Sequence, residues 1–193
     1  LDSAYKLNVW ASNGSRIESY PLTRGVTIIK NGAIEATDHK QVIAGLNSGF
    51  VRLVDADENG AYEYCIIKDY TPFVMNYSSY EKGMIFDKLG GSLTLENYKY
   101  IRVYDAEYNE LNVYDLGEGS VLSVAESSTD NEYIEIIYTN KLLSGVIEKM
   151  REYDGETYVT VNSQEYLVSP EFLVRNALNV GEFGSFKLDM LDT

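Results

Sequence analysis

Residues 50–67, FVRLVDADENGAYEYCII, decide the fold. Two β-favouring apolar runs flank an acidic turn at residues 55–60, DADENG. Within this turn, Asn59-Gly60 is a strong hairpin signal, because both residues tolerate a positive φ at low cost. The stretch therefore predicts an antiparallel hairpin that turns tightly at Asn59-Gly60.

The strand pattern of this hairpin recurs along the chain. Apolar and polar residues alternate at 5–9, 98–104, 133–138 and 158–161, which is the period of a strand with one buried face. Seventeen tyrosines and only three prolines also suit half-buried strands. Turn signals separate the runs, at Asn13-Gly14, Asn31-Gly32, Asn59-Gly60, Gly90-Gly91, residues 117–119 and Asp154-Gly155. The sequence therefore predicts an all-β protein of two small barrel- or sandwich-like domains.

Helical signals are confined to two short segments. Ser169-Pro170 resembles an N-cap followed by proline at the first helical position, so a short helix is expected through 173–177, ending near Gly181. A second helical turn is expected at 39–44. Between them, a hairpin over 157–168 is expected to turn near Asn162-Ser163.

A domain boundary is predicted near residues 115–119, because a glycine-containing turn there separates two groups of strand signals. The predicted domains are 1–116, which contains the acidic hairpin, and 117–193, a small β-barrel-like domain with its own strands. Residues 5–10 and 186–191 share the pattern aromatic, Lys, Leu, Asn or Asp, and two apolar residues. Residues 1–20 could therefore be the end strands of a preceding unit, unless two strand-like hexamers match by chance.

Charge and composition argue against several classes of function. The net charge of -14 disfavours binding to nucleic acid or to an anionic membrane, since both need clustered Lys and Arg. No apolar window approaches about 18 residues, so no transmembrane helix is predicted. One cysteine and one histidine make a zinc site improbable and exclude a pair of redox cysteines. We expect Cys65 to be a small buried hydrophobe and His39 to be solvated.

The acidic turn is also the candidate metal site. Alternate oxygen side chains and a glycine stand at positions one, three, five, six and nine of a calcium loop, namely Asp55, Asp57, Asn59, Gly60 and Glu63. Position twelve, where a bidentate acid normally closes the coordination shell, is Ile66. Calcium is therefore one interpretation, and a solvated turn whose Asp and Asn accept backbone N–H groups is the other.

Tyr98, Tyr100 and Tyr104 form the candidate ligand-binding set. They share one face of a predicted strand, and an exposed aromatic row can stack on sugar rings. The alternative is ordinary core or cross-strand packing. Acids that could serve glycoside hydrolysis are scattered, at Glu107, Glu110, Glu132 and Glu135, and the separation that would identify a catalytic pair cannot be deduced from sequence. No nucleophile elbow or phosphate loop is present, so no catalytic residue is assigned and no enzyme is predicted.

Five motifs follow one another along the chain: the acidic hairpin at 51–63, GSVLSVAES at 119–127, LSGVIE at 143–148, VTVNSQEYLVS at 159–169 and FKLD at 186–189. Their order resembles the repeated β modules of S-layer-homology-domain-containing surface proteins of Firmicutes, especially clostridia. The resemblance runs from about residue 45 to the end of the chain. The S-layer homology domains that attach such proteins to wall polymers are not visible in it.

The resemblance implies a non-catalytic structural or adhesive module of a large bacterial cell-surface protein, extracellular and wall-associated. Its implied partners are neighbouring domains of the same protein and cell-wall polysaccharide, with calcium as the one candidate cofactor. The alternative is a carbohydrate-binding module that uses exposed tyrosines and is attached to a glycan-active enzyme.

Overall fold

The computed structural model describes residues 5–10, 17–36, 39–46, 48–127, 132–174 and 176–192. Strands dominate the described residues and the helices are few and short, so the predicted all-β class with few short helices is confirmed. The described strands form three sheets. The turn predicted at Asn13-Gly14 lies outside the described residues.

The chain forms two compact units. The first comprises Leu1–Thr71 and Ala125–Ile134, and the second comprises Pro72–Val124 and Glu135–Thr193. The division into domains at 1–116 and 117–193 concerns a different property from compactness and stays a prediction.

A five-stranded sheet carries the acidic hairpin. Its strands run in the order β1-β2-β5-β4, and β3 pairs with β2. The strands are β1 (Lys6–Trp10), β2 (Ile17–Lys30), β3 (Ala33–Ile34), β4 (Gly49–Val54) and β5 (Tyr62–Asp69). The antiparallel pairing of β4 with β5 confirms the predicted hairpin. Since β1 pairs with β2, and β2 with β5, the described part of residues 1–20 lies in the same sheet as the hairpin.

Strand β2 runs parallel to β5, a pairing that the sequence analysis did not predict. Parallel strands need a crossover connection. That connection includes α1 (His39–Ala44), which coincides with the helical turn predicted there. His39 is partly buried at the start of α1.

The core of the first unit follows the alternation of β5. Cys65 and Ile67 are wholly buried, while Tyr64, which precedes Cys65 on β5, is 41% exposed. Ile28 on β2, also wholly buried, belongs to the same apolar cluster, as do Leu7 and Leu22. The prediction that Cys65 is a buried hydrophobe is thus confirmed.

A six-stranded sheet has the order β8-β7-β6-β10-β11-β9. Its strands are β6 (Thr71–Ser79), β7 (Met84–Asp87), β8 (Ser92–Thr94), β9 (Tyr100–Asp105), β10 (Val121–Glu126) and β11 (Tyr133–Thr139). Three 3-10 turns punctuate this part of the chain, at Tyr80–Lys82, Leu95–Asn97 and Val113–Asp115. Strand β9 ends the order of the sheet, so its outer backbone edge has no further strand among the described residues.

A four-stranded sheet, in the order β14-β13-β12-β15, completes the second unit. It consists of β12 (Leu142–Tyr153), β13 (Glu156–Val161), β14 (Gln164–Val168) and β15 (Phe183–Lys187). The predicted hairpin between β13 and β14 is confirmed, and it turns through Asn162 and Ser163 at φ 51° and 64°. The predicted helix begins at Pro170, but α2 (Pro170–Leu173) has four residues and does not extend through 177.

The turn of the acidic hairpin differs from the prediction. Asn31-Gly32 and Asp154-Gly155 are two-residue turns in which both residues have positive φ. Between β4 and β5, in contrast, the loop spans residues 55–61, and its positive φ values fall at Glu58 and Gly60. The tight turn expected at Asn59-Gly60 is therefore wrong. The physical reason is that the side-chain oxygens of Asp55 accept the N–H groups of Asn59 and Gly60 and so hold a wider turn.

Candidate functional site

The acidic loop brings three of its four predicted ligands together. Asp55, Asp57 and Glu63 each present a carboxylate oxygen within 4.8 Å of the others. The fourth, Asn59, lies in the same loop, but its Oδ1 accepts a hydrogen bond from Ala61 N at 2.8 Å. Ile66, at the position where a calcium loop has its closing acid, is a half-buried residue of β5 and supplies no oxygen.

The two aspartates of the loop also brace its backbone. Asp55 accepts N–H groups from Asn59 at 3.1 Å and from Gly60 at 2.8 Å, one on each oxygen. Asp57 accepts the backbone N–H of Asn59 at 3.2 Å on one oxygen and its side-chain amide at 2.9 Å on the other. All four aspartate oxygens are therefore engaged in the hydrogen bonding that defines the turn.

Glu63 stands apart within the cluster. Its Oε2 accepts Ala56 N at 2.7 Å, which ties the start of the loop to β5. Its Oε1 is buried and has no hydrogen-bond partner among the described residues. A buried acceptor without a partner costs stability. The cluster therefore offers one uncommitted carboxylate oxygen next to five that already accept hydrogen bonds within the hairpin.

The predicted tyrosine set is only partly assembled. Strand β9 begins at Tyr100, so Tyr98 precedes it. Tyr100 is 50% exposed, and Lys99 Nζ lies 5.1 Å from the centre of its ring. Tyr104, on the same face of β9, is half-buried and packs against Tyr108 with ring centres 5.9 Å apart and planes tilted by 49°. Of the three predicted tyrosines, Tyr100 alone is exposed, because Tyr98 and Tyr104 are half-buried.

The acidic side chains of Asp105, at the end of β9, and of Glu110 are engaged in local contacts. Asp105 accepts the backbone and side-chain N–H groups of Asn109, both at 2.8 Å, and the backbone N–H of Glu107 at 2.9 Å. These bonds hold the pKa of Asp105 below its usual range, and the bond from the Asn109 side chain contributes most. Glu110 forms an ion pair with Arg102 at 3.2 Å. Glu132 and Glu135 lie in another segment, where Glu135 is buried on β11.

A cavity of about 700 Å³ was not anticipated by the sequence analysis. All of its lining residues belong to the second compact unit. Strand β6 explains how it arises, because Phe73 and Met75 on one face are buried while Pro72 and Val74 on the other line the cavity. The remaining wall comes mainly from the four-stranded sheet and the segments that follow β14 and β15. Since these segments are far apart in sequence, no local pattern could have indicated the cavity.

No protein-family profile, curated protein or solved structure matches the chain. The resemblance to modules of bacterial surface proteins therefore rests on the five sequence motifs. In the part of the chain that the structure describes, no helix is long and apolar enough to cross a membrane.

Proposed function

We propose that the chain is a non-catalytic structural or adhesive module of a larger bacterial cell-surface protein, acting together with neighbouring domains. The order of the five motifs supports this proposal from the side of sequence. The structural observation that carries it is the use of acidic side chains as turn braces.

The acidic braces occur at two separate loops. Asp55 and Asp57 accept N–H groups within residues 55–61, and Asp105 does the same within 105–109. A carboxylate that accepts several N–H donors holds its loop in one shape, which suits a load-bearing or contact-making module. The bonds around Asp105 lower the pKa of its carboxyl group. A general acid needs the opposite, a carboxyl whose pKa is raised toward neutrality.

The test measures binding and turnover together. Purified chain is applied to a glycan array and incubated with cell-wall polysaccharide, and released reducing sugar is quantified. We expect weak or no saturable binding and no release of sugar. Release of sugar, or tight binding that is lost in Tyr100→Ala, would contradict the proposal.

The alternative is a carbohydrate-binding module, and the exposure of Tyr100 favours it. An aromatic face at the end strand of a sheet can stack on a sugar ring, and a lysine ammonium beside it can donate a hydrogen bond to the oxygen of a sugar hydroxyl. Under this alternative, Tyr100→Ala abolishes glycan binding, while Tyr153→Ala, an exposed tyrosine of β12, leaves it unchanged. Equal binding by both variants would remove the alternative.

A further inference from the structure

We propose that the cavity of the second unit binds an uncharged, mainly apolar small molecule that carries one hydrogen-bonding group. The cavity measures about 700 Å³, within the range of about 300–1,000 Å³ that is typical of small-molecule sites. The site shares no residue with the acidic loop and does not depend on the proposed surface role.

The walls of the cavity are chiefly apolar. Strand β6 contributes Val74, and the four-stranded sheet contributes Leu143, Val159 and Phe186. Protein interiors are close-packed, so the side chains that line an empty apolar space lack dispersion contacts on one side. Water in such a space finds few hydrogen-bond partners. An apolar molecule recovers those contacts, so burial of its surface drives binding.

The charged groups of the lining do not select a charged ligand. Two lysines and two aspartates line the cavity, Lys88, Lys187, Asp87 and Asp189, so their formal charges cancel. Asp87 Oδ1 accepts Val74 N at 3.0 Å, and Asp189 Oδ1 accepts Leu191 N at 2.8 Å. Lys187 Nζ donates to the carbonyl of Gly119. A charged ligand would lose its hydration on entering the cavity, and no excess of opposite charge in the lining would compensate that loss.

Other polar groups of the lining are also paired. Ser185 lines the cavity, and its hydroxyl shares a hydrogen bond of 2.9 Å with the hydroxyl of Ser144. Asn176, another lining residue, donates its side-chain amide to the carbonyl of Phe172 at 2.8 Å. Asn76 and Tyr166 line the cavity as well, and their side chains make no hydrogen bond to the described residues. They are the groups that can orient a hydroxyl or carbonyl of the ligand.

The probe for this site is N-phenyl-1-naphthylamine, a neutral aromatic amine with one N–H group whose fluorescence rises in apolar surroundings. We expect saturable binding to the native chain at one site. We also expect 1-decanol to displace the probe at a lower concentration than decanoate, because decanoate adds a charge that the cavity does not compensate. Absence of probe binding, or displacement by decanoate as readily as by decanol, would overturn the proposal.

Filling the cavity locates the probe. Val74→Trp places a large ring in the space, and we expect probe affinity to fall about tenfold or more. Val146→Trp is the matched control, because Val146 is 43% exposed on β12 and does not line the cavity. Val74→Phe serves as the second variant in case tryptophan prevents folding, and circular dichroism verifies the native strand signal of each. Unchanged affinity in a folded Val74 variant, or an equal loss in Val146→Trp, would refute the site.

Discussion

The side chains of Asp55 and Asp57 fit two interpretations, a cation site and a hydrogen-bonded turn. Aspartates at alternate positions can converge on a cation, and they can equally accept the N–H groups of a wide turn. In this loop, every aspartate oxygen accepts an N–H group, and Glu63 Oε1 is the one carboxylate oxygen of the Asp55, Asp57 and Glu63 cluster without a hydrogen-bond partner among the described residues. A cation must therefore compete with hydrogen bonds that already define the loop.

We consequently expect calcium to bind the loop weakly, with a dissociation constant of about 10⁻⁴ M or weaker. Isothermal titration calorimetry measures it directly. Asp57→Ala should remove whatever signal is present, and Asp115→Ala, an exposed acid outside the loop, should not. A dissociation constant below about 10⁻⁶ M that disappears in Asp57→Ala would identify a sensor-grade site instead.

Cys65 is predicted to be inert in the folded protein. It is wholly buried, and burial raises the pKa of its thiol to about 11. The thiolate is the reactive species, so modification by a disulfide reagent should be negligible in buffer and complete in denaturant. Rapid labelling of the native protein would show that β5 opens readily.

The same thiol predicts a pH dependence in the alkaline range. An unfolded cysteine has a pKa of about 8.5, so the folded pKa is the raised one. Its stabilising contribution is complete below about pH 8.5 and disappears as the pH rises toward about 11. Cys65→Ala should therefore lose less stability than the parent chain over that interval, measured by urea unfolding. An identical loss in both proteins would contradict this assignment.

At the scale of elements, the hairpin of β4 and β5 depends on two glycines for different reasons. A Cβ on Gly49 would lie 1.8 Å from the carbonyl oxygen of Lys68 on the neighbouring strand. A Cβ on Gly60 would meet nothing within 4 Å, but the φ of +87° is one that L-residues rarely adopt. The first glycine is required by space and the second by backbone conformation.

These reasons predict different costs. We expect Gly60→Ala to reduce the free energy of unfolding by about 1–2 kcal/mol, through strain in the loop alone. Gly49→Ala should cost about 3 kcal/mol or more, because two backbones must separate. Urea unfolding followed by circular dichroism gives both values. A Gly49→Ala variant as stable as Gly60→Ala would show that the strand pair relaxes freely.

At the scale of the whole molecule, charge is the dominant property. The net charge is -14 and the isoelectric point about 4.4. Like charges repel one another in the compact state, and salt screens that repulsion. We expect the thermal midpoint to rise between low salt and 0.5 M sodium chloride. At 0.5 M the Debye length lies between about 3 and 10 Å, so repulsion between charges farther apart than this is largely screened. Calorimetry at each concentration tests this, and a falling midpoint would show that attractive ion pairs outweigh the repulsion.

Local features of the fold were predictable from sequence. The hairpin of β13 and β14 turns at Asn162-Ser163 as predicted, and α1 coincides with the predicted segment 39–44. These features depend on the φ preferences of a few consecutive residues and on alternation within one strand. The wide loop at 55–61 was missed because side-chain hydrogen bonds over several residues, not the preference of Asn59-Gly60, determine its width.

Sequence by itself determined the all-β class, the alternation that buries Cys65, and the positions of several strands and short turns. Only the tertiary structure decided that β2 pairs in parallel with β5, that the carboxylate oxygen Oε1 of Glu63 is buried, and that a cavity opens beside β6. The physical reason is the range of the interactions. Backbone preference and strand periodicity act between neighbours in the chain, whereas strand partners, burial of a polar atom and unfilled volume depend on residues brought together from distant segments.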